Sequence, residues 1–237
     1  MSTFVLIHGA WHGAWCWHKL TPLLQSRGHT VLTPDLPALG IDRAPLPSVS
    51  LQKYVDRVCE TLAACSEPVY LVGHSMGGIV ITQAAEAMPQ KVKTLVYLTA
   101  FLLPSGRSLL EEVQADVAGE VLPNLVFSPD HTSATIKPEA VCAVFYADCS
   151  PADVALAQTL LVPQAVAPFT ISMQTTKERW GSIPRVYIEC TADRALSLAT
   201  QRSMYARLPC HRVFSMPTSH SPFLSSPEVL MEHLLSL

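Results

Sequence analysis

Charge is scarce in this chain. Only 15% of its 237 residues are Asp, Glu, Lys or Arg, and 16 basic against 19 acidic residues leave a formal net charge of -3. Such a balance excludes the basic footprint of a nucleic-acid binder or of a protein held on an anionic membrane. Long hydrophobic runs are missing as well. No stretch approaches the about 20 consecutive apolar residues that cross a bilayer, and the passage from "MST" straight into the strand-like "FVLIHG" leaves no room for a signal peptide. The seven cysteines are odd in number and include no C-x-x-C pair, so neither a disulfide framework nor a zinc site is expected. They read as reduced thiols, mostly filling the core of a cytoplasmic protein. Nine histidines contain no H-E-x-x-H and no paired His/Cys cluster, which predicts no metal. There is no internal repeat and no low-complexity run.

What the chain does have is apolar residues, 49% of the total, enough for one large core. The expectation is a single domain over 1–237. Short apolar runs alternate with helical patterns. Strands are expected at "FVLIH" (4–8), "TVLTPDL" (30–36), "VYLVG" (69–73), "KTLVYLTA" (93–100), "RVYIEC" (185–190) and "HRVFSM" (211–216). Helices fall between them. One covers "AWCWHKLTPLLQSRG" up to Gly28, and one starts near Ser50 with Leu51, Tyr54, Val55, Val58 and Leu62 on a single face. Another follows the third strand and ends at Pro89, and the last has Ser226 as N-cap and Pro227 at its first position. Strands that are apolar on both faces and alternate with helices make a doubly wound, mostly parallel six-stranded sheet in an α/β protein. Residues 104–179 break the rhythm, with proline-rich turns and helical pieces lacking clear strands between them. They read as a helical cap inserted between core segments 1–103 and 180–237.

The stretch "VYLVGHSMGGIVITQAAE" (69–86) carries the chemistry. G-x-S-x-G between a strand and a helix is the nucleophile-elbow pattern, in which a serine is held in an unfavourable backbone conformation and its neighbours must lack colliding side chains. Ser75 is the predicted nucleophile. A serine hydroxyl needs a base and an acid that orients the base, and in open parallel sheets these sit where strands end. His220, in "PTSHSPF" after the last strand, fits the base. His211 starts that strand at the wrong end, His233 lies inside the final helix, and His74 points into the packing. Asp193, in "RVYIECTADRA", leaves a strand end between Ser75 and His220. Glu189 lies within the strand, Asp148 and Asp153 belong to the insertion, and Asp35 precedes the serine. The N–H groups of Met76 and of Ala10, in "HGAWHGAW", are expected to bind a developing oxyanion. Small Gly9 keeps that loop close to Ser75.

The segments "FVLIHGAWHGAWCWHKLTPLLQSRGHTV", "VYLVGHSMGG" and "WGSIPRVYIECTAD" resemble the branch of the α/β-hydrolase superfamily containing plant methylesterases and hydroxynitrile lyases. Bacterial carboxylesterases, including pyrethroid-hydrolysing ones, are similar. The resemblance is strong in both core halves and weak through the insertion. It implies an α/β-hydrolase fold, the same triad of Ser75, Asp193 and His220, and the same oxyanion donors. Lyases of this branch carry threonine where this chain has Gly9 and lysine where it has Ser221. The expected activity is therefore hydrolysis of small to medium apolar carboxylic esters through an acyl-enzyme, without a cofactor. Cyanohydrin cleavage and small-ligand reception are the rivals. The expected partner is the small-molecule ester, with no nucleic acid and no membrane. The pocket is expected to be lined by Gly9, Trp11, Leu160, Leu161, Val162, Val166 and Phe169.

Overall fold

The computed structural model describes residues 1–237. Strands form at β1 (Thr3–Ile7), β2 (Thr30–Leu32), β3 (Val69–His74), β4 (Val92–Leu98), β5 (Leu125–Phe127), β6 (Ser133–Ile136), β7 (Gln164–Ala165), β8 (Arg185–Cys190) and β9 (Arg212–Met216). The α-helices are α1 (Leu20–Ser26), α2 (Leu51–Ala63), α3 (Gly77–Ala87), α4 (Leu109–Ala115), α5 (Val141–Phe145), α6 (Pro151–Leu160), α7 (Ala167–Thr170), α8 (Leu198–Arg207), α9 (Pro222–Ser225) and α10 (Pro227–Leu235).

Six strands form one sheet in the order β2-β1-β3-β4-β8-β9, with every neighbouring pair parallel. β3 is buried at all of its positions and β1 at all but Thr3, as strands covered on both faces must be. Helix α1 packs on α10, and α2 on α3. The five apolar positions expected to face inward on α2 are its buried residues, and Ser50 caps its start by accepting the Lys53 N–H.

This strand order places the site. From β1 the chain moves outward to β2 and then returns to β3 on the other side of β1. Winding reverses there, so the loops leaving the carboxyl ends of β1 and β3 diverge and open a crevice between them. Ala10 and Ser75 stand on those two loops.

Local departures from the sequence pattern have simple causes. The helix expected from Ala14 onward is split into a 3-10 turn, Ala14–Trp17, and α1. Pro22 lacks an N–H and tolerates only the first turn of a helix, so the helix starts just before it. Strand β2 stops at Leu32, short of Pro34. Helix α10 begins at Pro227, but the Ser226 side chain makes no capping bond.

Between β4 and β8 the chain leaves the sheet for residues 99–184. This segment is not helical alone. Besides α4 to α7 it holds a three-stranded antiparallel sheet, β5-β6-β7. Those strands span 3, 4 and 2 residues, too short for an alternating pattern to stand out in the sequence. Helix α4 opens with a reciprocal cap in which Ser108 and Glu111 satisfy each other's backbone N–H groups.

Candidate active site

Ser75 occupies a single strained step between β3 and α3. Its φ is 53°, in the left-handed region that side-chain-bearing residues seldom adopt. The turn is held from β4: Ser75 N–H donates to Leu98 O (3.4 Å), and Ser75 O accepts from Phe101 N–H (3.1 Å) and Gly78 N–H (3.0 Å). The surrounding glycines are required by close approach. A Cβ at Gly78 would lie 2.4 Å from Phe101 O, one at Gly77 2.7 Å from Ile7 O, and one at Gly9 2.9 Å from the Ser75 Cβ. Within 71–80 every residue is buried except Ser75, which is half-exposed.

Asp193 and His220 come from the loops after β8 and β9. His220 Nδ1 and Asp193 Oδ2 are 2.6 Å apart, and both residues are buried. The same Oδ2 accepts the Thr99 hydroxyl (2.5 Å), while Oδ1 accepts the N–H groups of Ala195 (2.7 Å) and Leu196 (3.0 Å). An ionised carboxylate only accepts, so the His220 Nδ1 carries a proton and Nε2 is left as the free ring position. Ser75 and His220 line the same cavity. Ser75 and His220 make no direct side-chain hydrogen bond; such contacts often tighten only in the complex that reacts.

Three further histidines support this arrangement. His74 is buried, and its Nε2 donates to His220 O (2.8 Å), with the two ring centroids 4.5 Å apart. Burial, reinforced by the neighbouring His220, holds its basicity well below the usual range, so it stays neutral beneath His220. His12 donates from Nδ1 to Ala10 O (2.7 Å), and its Nε2 accepts the Tyr146 hydroxyl (2.6 Å). Burial lowers its pKa to about 3. His8 Nε2 accepts the Leu36 N–H (3.1 Å), and burial lowers this ring as well. The sequence reading weighed neither His8 nor His12, although the doubled "HGAW" of residues 8–15 marks both. It also passed over Thr99, and it set Asp148 aside as part of the insertion. Asp148 accepts both the N–H (2.9 Å) and the hydroxyl of Ser219, the residue before His220.

Ala10 and Met76 line the cavity beside Ser75, and neither N–H donates to a protein acceptor. The next residue, Trp11, has a φ of 64°. Its indole N–H donates to Ala134 O (2.9 Å), which ties the loop after β1 to the inserted sheet.

The cavity is narrow, about 50 Å³, and 14 of its 16 lining residues are apolar. Of the residues expected to line the pocket, Trp11 and Phe169 are in its wall. Gly9, Leu160, Leu161, Val162 and Val166 are not. Gly9 lies beneath Ser75. Helix α6 ends at Leu160, after which Leu161 and Val162 run extended along the far side of Trp11 and border a second cleft of about 360 Å³. The Val162 N–H donates to Trp11 O there (3.1 Å). Leu160 and Val166 are half-buried and border neither space. The wall comes instead from α4 (Leu109, Leu110, Val113), from Val121, Leu122 and Leu125, and from Phe145 of α5.

Comparison with known proteins identifies the fold and the family. The model of the alpha/beta hydrolase family matches residues 4–233; the chain belongs to that family. Methylesterase 1 of Arabidopsis thaliana is 32% identical over 99% of this chain and 95% of its own length. An alpha-hydroxynitrile lyase of Arabidopsis thaliana is 34% identical over 99% and 96%. The crystal structure of polyneuridine aldehyde esterase superposes with a TM-score of 0.92 at 29% identity, covering 100% of this chain and 98% of that one.

Proposed function

We propose that the protein is a cofactor-free serine carboxylesterase acting on small to medium apolar esters. The observation that carries this reading is the buried Asp193–His220 pair, 2.6 Å apart, with His220 and the strained Ser75 on the wall of one apolar cavity. The Ser75 hydroxyl attacks the ester carbonyl carbon while His220 Nε2 takes its proton. The negative charge that gathers on the carbonyl oxygen is received by the N–H groups of Ala10 and Met76. As the tetrahedral species collapses, His220 returns the proton to the departing alcohol and an acyl-Ser75 remains. Water, deprotonated by His220, then releases the carboxylic acid and restores the serine. Asp193 holds the imidazole and stabilises its charged form throughout.

Residues 104–179 act as the cap that shapes the acyl site in this reading, supported by the share of the cavity wall they contribute. The seven cysteines are all free thiols, in keeping with a reducing, cytoplasmic setting. Two features favour esters over cyanohydrins, even with a lyase among the relatives. Departing cyanide needs a cation, and no lysine or arginine lines the cavity; Ser221, where the lyases place theirs, is wholly buried. A threonine in place of Gly9 would crowd the serine itself.

The test is parallel assay of p-nitrophenyl esters of graded acyl length, of mandelonitrile, and of ligand-induced thermal stabilisation. Hydrolysis of short apolar esters is expected, unchanged by prolonged chelation, with negligible mandelonitrile cleavage. Mandelonitrile turnover matching the ester rate overturns the reading. So does stabilisation by small ligands without turnover of any ester.

A further inference from the structure

Thr99 is the first residue beyond β4, which lies in the sheet between the strand leading to Ser75 and the strand leading to Asp193. Three observations set it apart. It is completely buried. Its φ is 36°, an outlier for a β-branched residue and a conformation that persists only where surrounding structure imposes it. Its backbone N–H donates to Ile188 O of β8 (2.8 Å), and its hydroxyl donates to Asp193 Oδ2 (2.5 Å), the same oxygen that meets His220 Nδ1.

A threonine that merely filled space would not need this backbone. The strained step turns the hydroxyl toward Asp193, so that three donors besides His220 hold the carboxylate: Thr99 on Oδ2, and the Ala195 and Leu196 N–H groups on Oδ1. Two consequences follow. The carboxylate plane is fixed relative to the imidazole. Oδ2 also divides its charge between Thr99 and His220, which weakens its hold on the imidazolium. Resting on the triad assigned above, we propose that Thr99 is a positioning residue that orients Asp193 and sets the pH at which His220 becomes a competent base.

The other groups around the pair leave this effect readable. His74 and His12 face His220, and burial keeps both neutral down to acid pH. Tyr187 and Cys190 face Asp193, and burial raises both well above their ordinary range, so they remain protonated. Asp148 reaches this loop through Ser219 and keeps that partner whatever residue stands at 99.

The experiment compares Thr99→Val, which keeps the shape and removes the hydroxyl, with Thr99→Ser, which keeps the hydroxyl. Thr99→Gly relieves the positive φ while also removing the hydroxyl, and serves if the valine variant folds poorly. Readouts are kcat, KM, the acid limb of kcat/KM against pH, and the low-field proton resonance of the His220 Nδ1–H, which needs no turnover. Valine and glycine should each lower kcat about tenfold with KM unchanged, since Thr99 is not in the cavity wall. Both should move the acid limb to higher pH and shift the low-field resonance, and serine should restore both. An unshifted limb and resonance in the valine or glycine variant, or a serine variant behaving like valine, overturns the proposal. A wild-type protein without esterase activity would sink the triad reading instead, and the resonance would still report on Thr99.

Discussion

The sheet core and the segment inserted between β4 and β8 are held in different ways. In the core, buried parallel strands make continuous ladders, and the helices on both faces close over apolar side chains. The inserted segment has short helices and a small sheet, and much of its attachment to the core is through charged side chains. Asp116 accepts from the Ser197 N–H (2.9 Å) and hydroxyl (2.6 Å), and Arg194 meets Glu120 through two contacts of 2.7 Å. Asp148 holds Ser219, and Lys19 pairs with Asp153 at 2.7 Å. Three of these four fastenings land on loops that carry Asp193 or His220. The difference teaches a division of labour: the core carries Ser75, Asp193 and His220, and the insertion supplies much of the cavity wall over Ser75 and fastens the loops after β8 and β9.

The sharpest break in that comparison is in the core. Ser75→Ala should reduce ester turnover by about a million-fold while thermal stability and circular dichroism stay close to wild type. A folded variant retaining a tenth of the rate removes Ser75 from the mechanism.

Acid should next separate the two regions by their pH windows. His8, His12 and His74 have folded values depressed by burial, His12 to about 3. Below the unfolded histidine value of about 6.5 the unfolded chain binds protons that the folded core refuses. Stability is therefore full above that value and declines as pH falls toward about 3. Asp153 lies in the insertion; burial opposes its ionisation, but Lys19 and Ser150 outweigh it and lower its pKa. Its contribution is present above the ordinary aspartate range of about 3.9 and is lost only as pH falls through the folded value. Melting temperature followed from pH 7.5 to 3.5 should thus fall well before the Asp153 attachment titrates. A flat profile to pH 4 contradicts the burial of neutral imidazoles.

Within the insertion, Phe169→Ala should reorder a series of esters by several-fold, because Phe169 is in the cavity wall, whereas Leu161→Ala should leave the ranking alone. Equal scaling of all substrates by both variants would remove the insertion from specificity. The smallest effect is expected for Arg194→Ala. That ion pair is partly exposed at both ends, so its loss should barely move the urea-unfolding midpoint and should leave turnover close to wild type. A large drop in the midpoint would mean the insertion is held far more tightly by this pair than its exposure implies.

How legible the chain is depends on how local the signal is. The six sheet strands and the buried face of α2 follow from residues repeating at the period of their own element, and sequence alone determined them. The elbow is equally local: Ser75 stands out because a buried strand, close-packed glycines and a helix follow one another without interruption. Asp193 and His220 were found one level up, because connectivity dictates which strands end on the side of the crevice. Most of the cavity wall lay beyond that reach. Leu160 to Val162 have the composition of a lining, yet the turn at the end of α6 sends them past Trp11, while α4 and Phe145 arrive from positions distant in sequence. Thr99 was invisible for a related reason: a threonine at a strand end looks like an ordinary β-former, and its φ of 36° exists only because Asp193 and Ile188 are brought to it from β8 and the loop beyond. Sequence determined the six strands of the main sheet and the candidates for the reactive groups, since hydrophobic period and turn chemistry act over a few residues, but not the short strands of the insertion. Tertiary structure decided what surrounds those groups, since a wall and a shared hydrogen bond depend on the relative placement of segments that local patterns leave free.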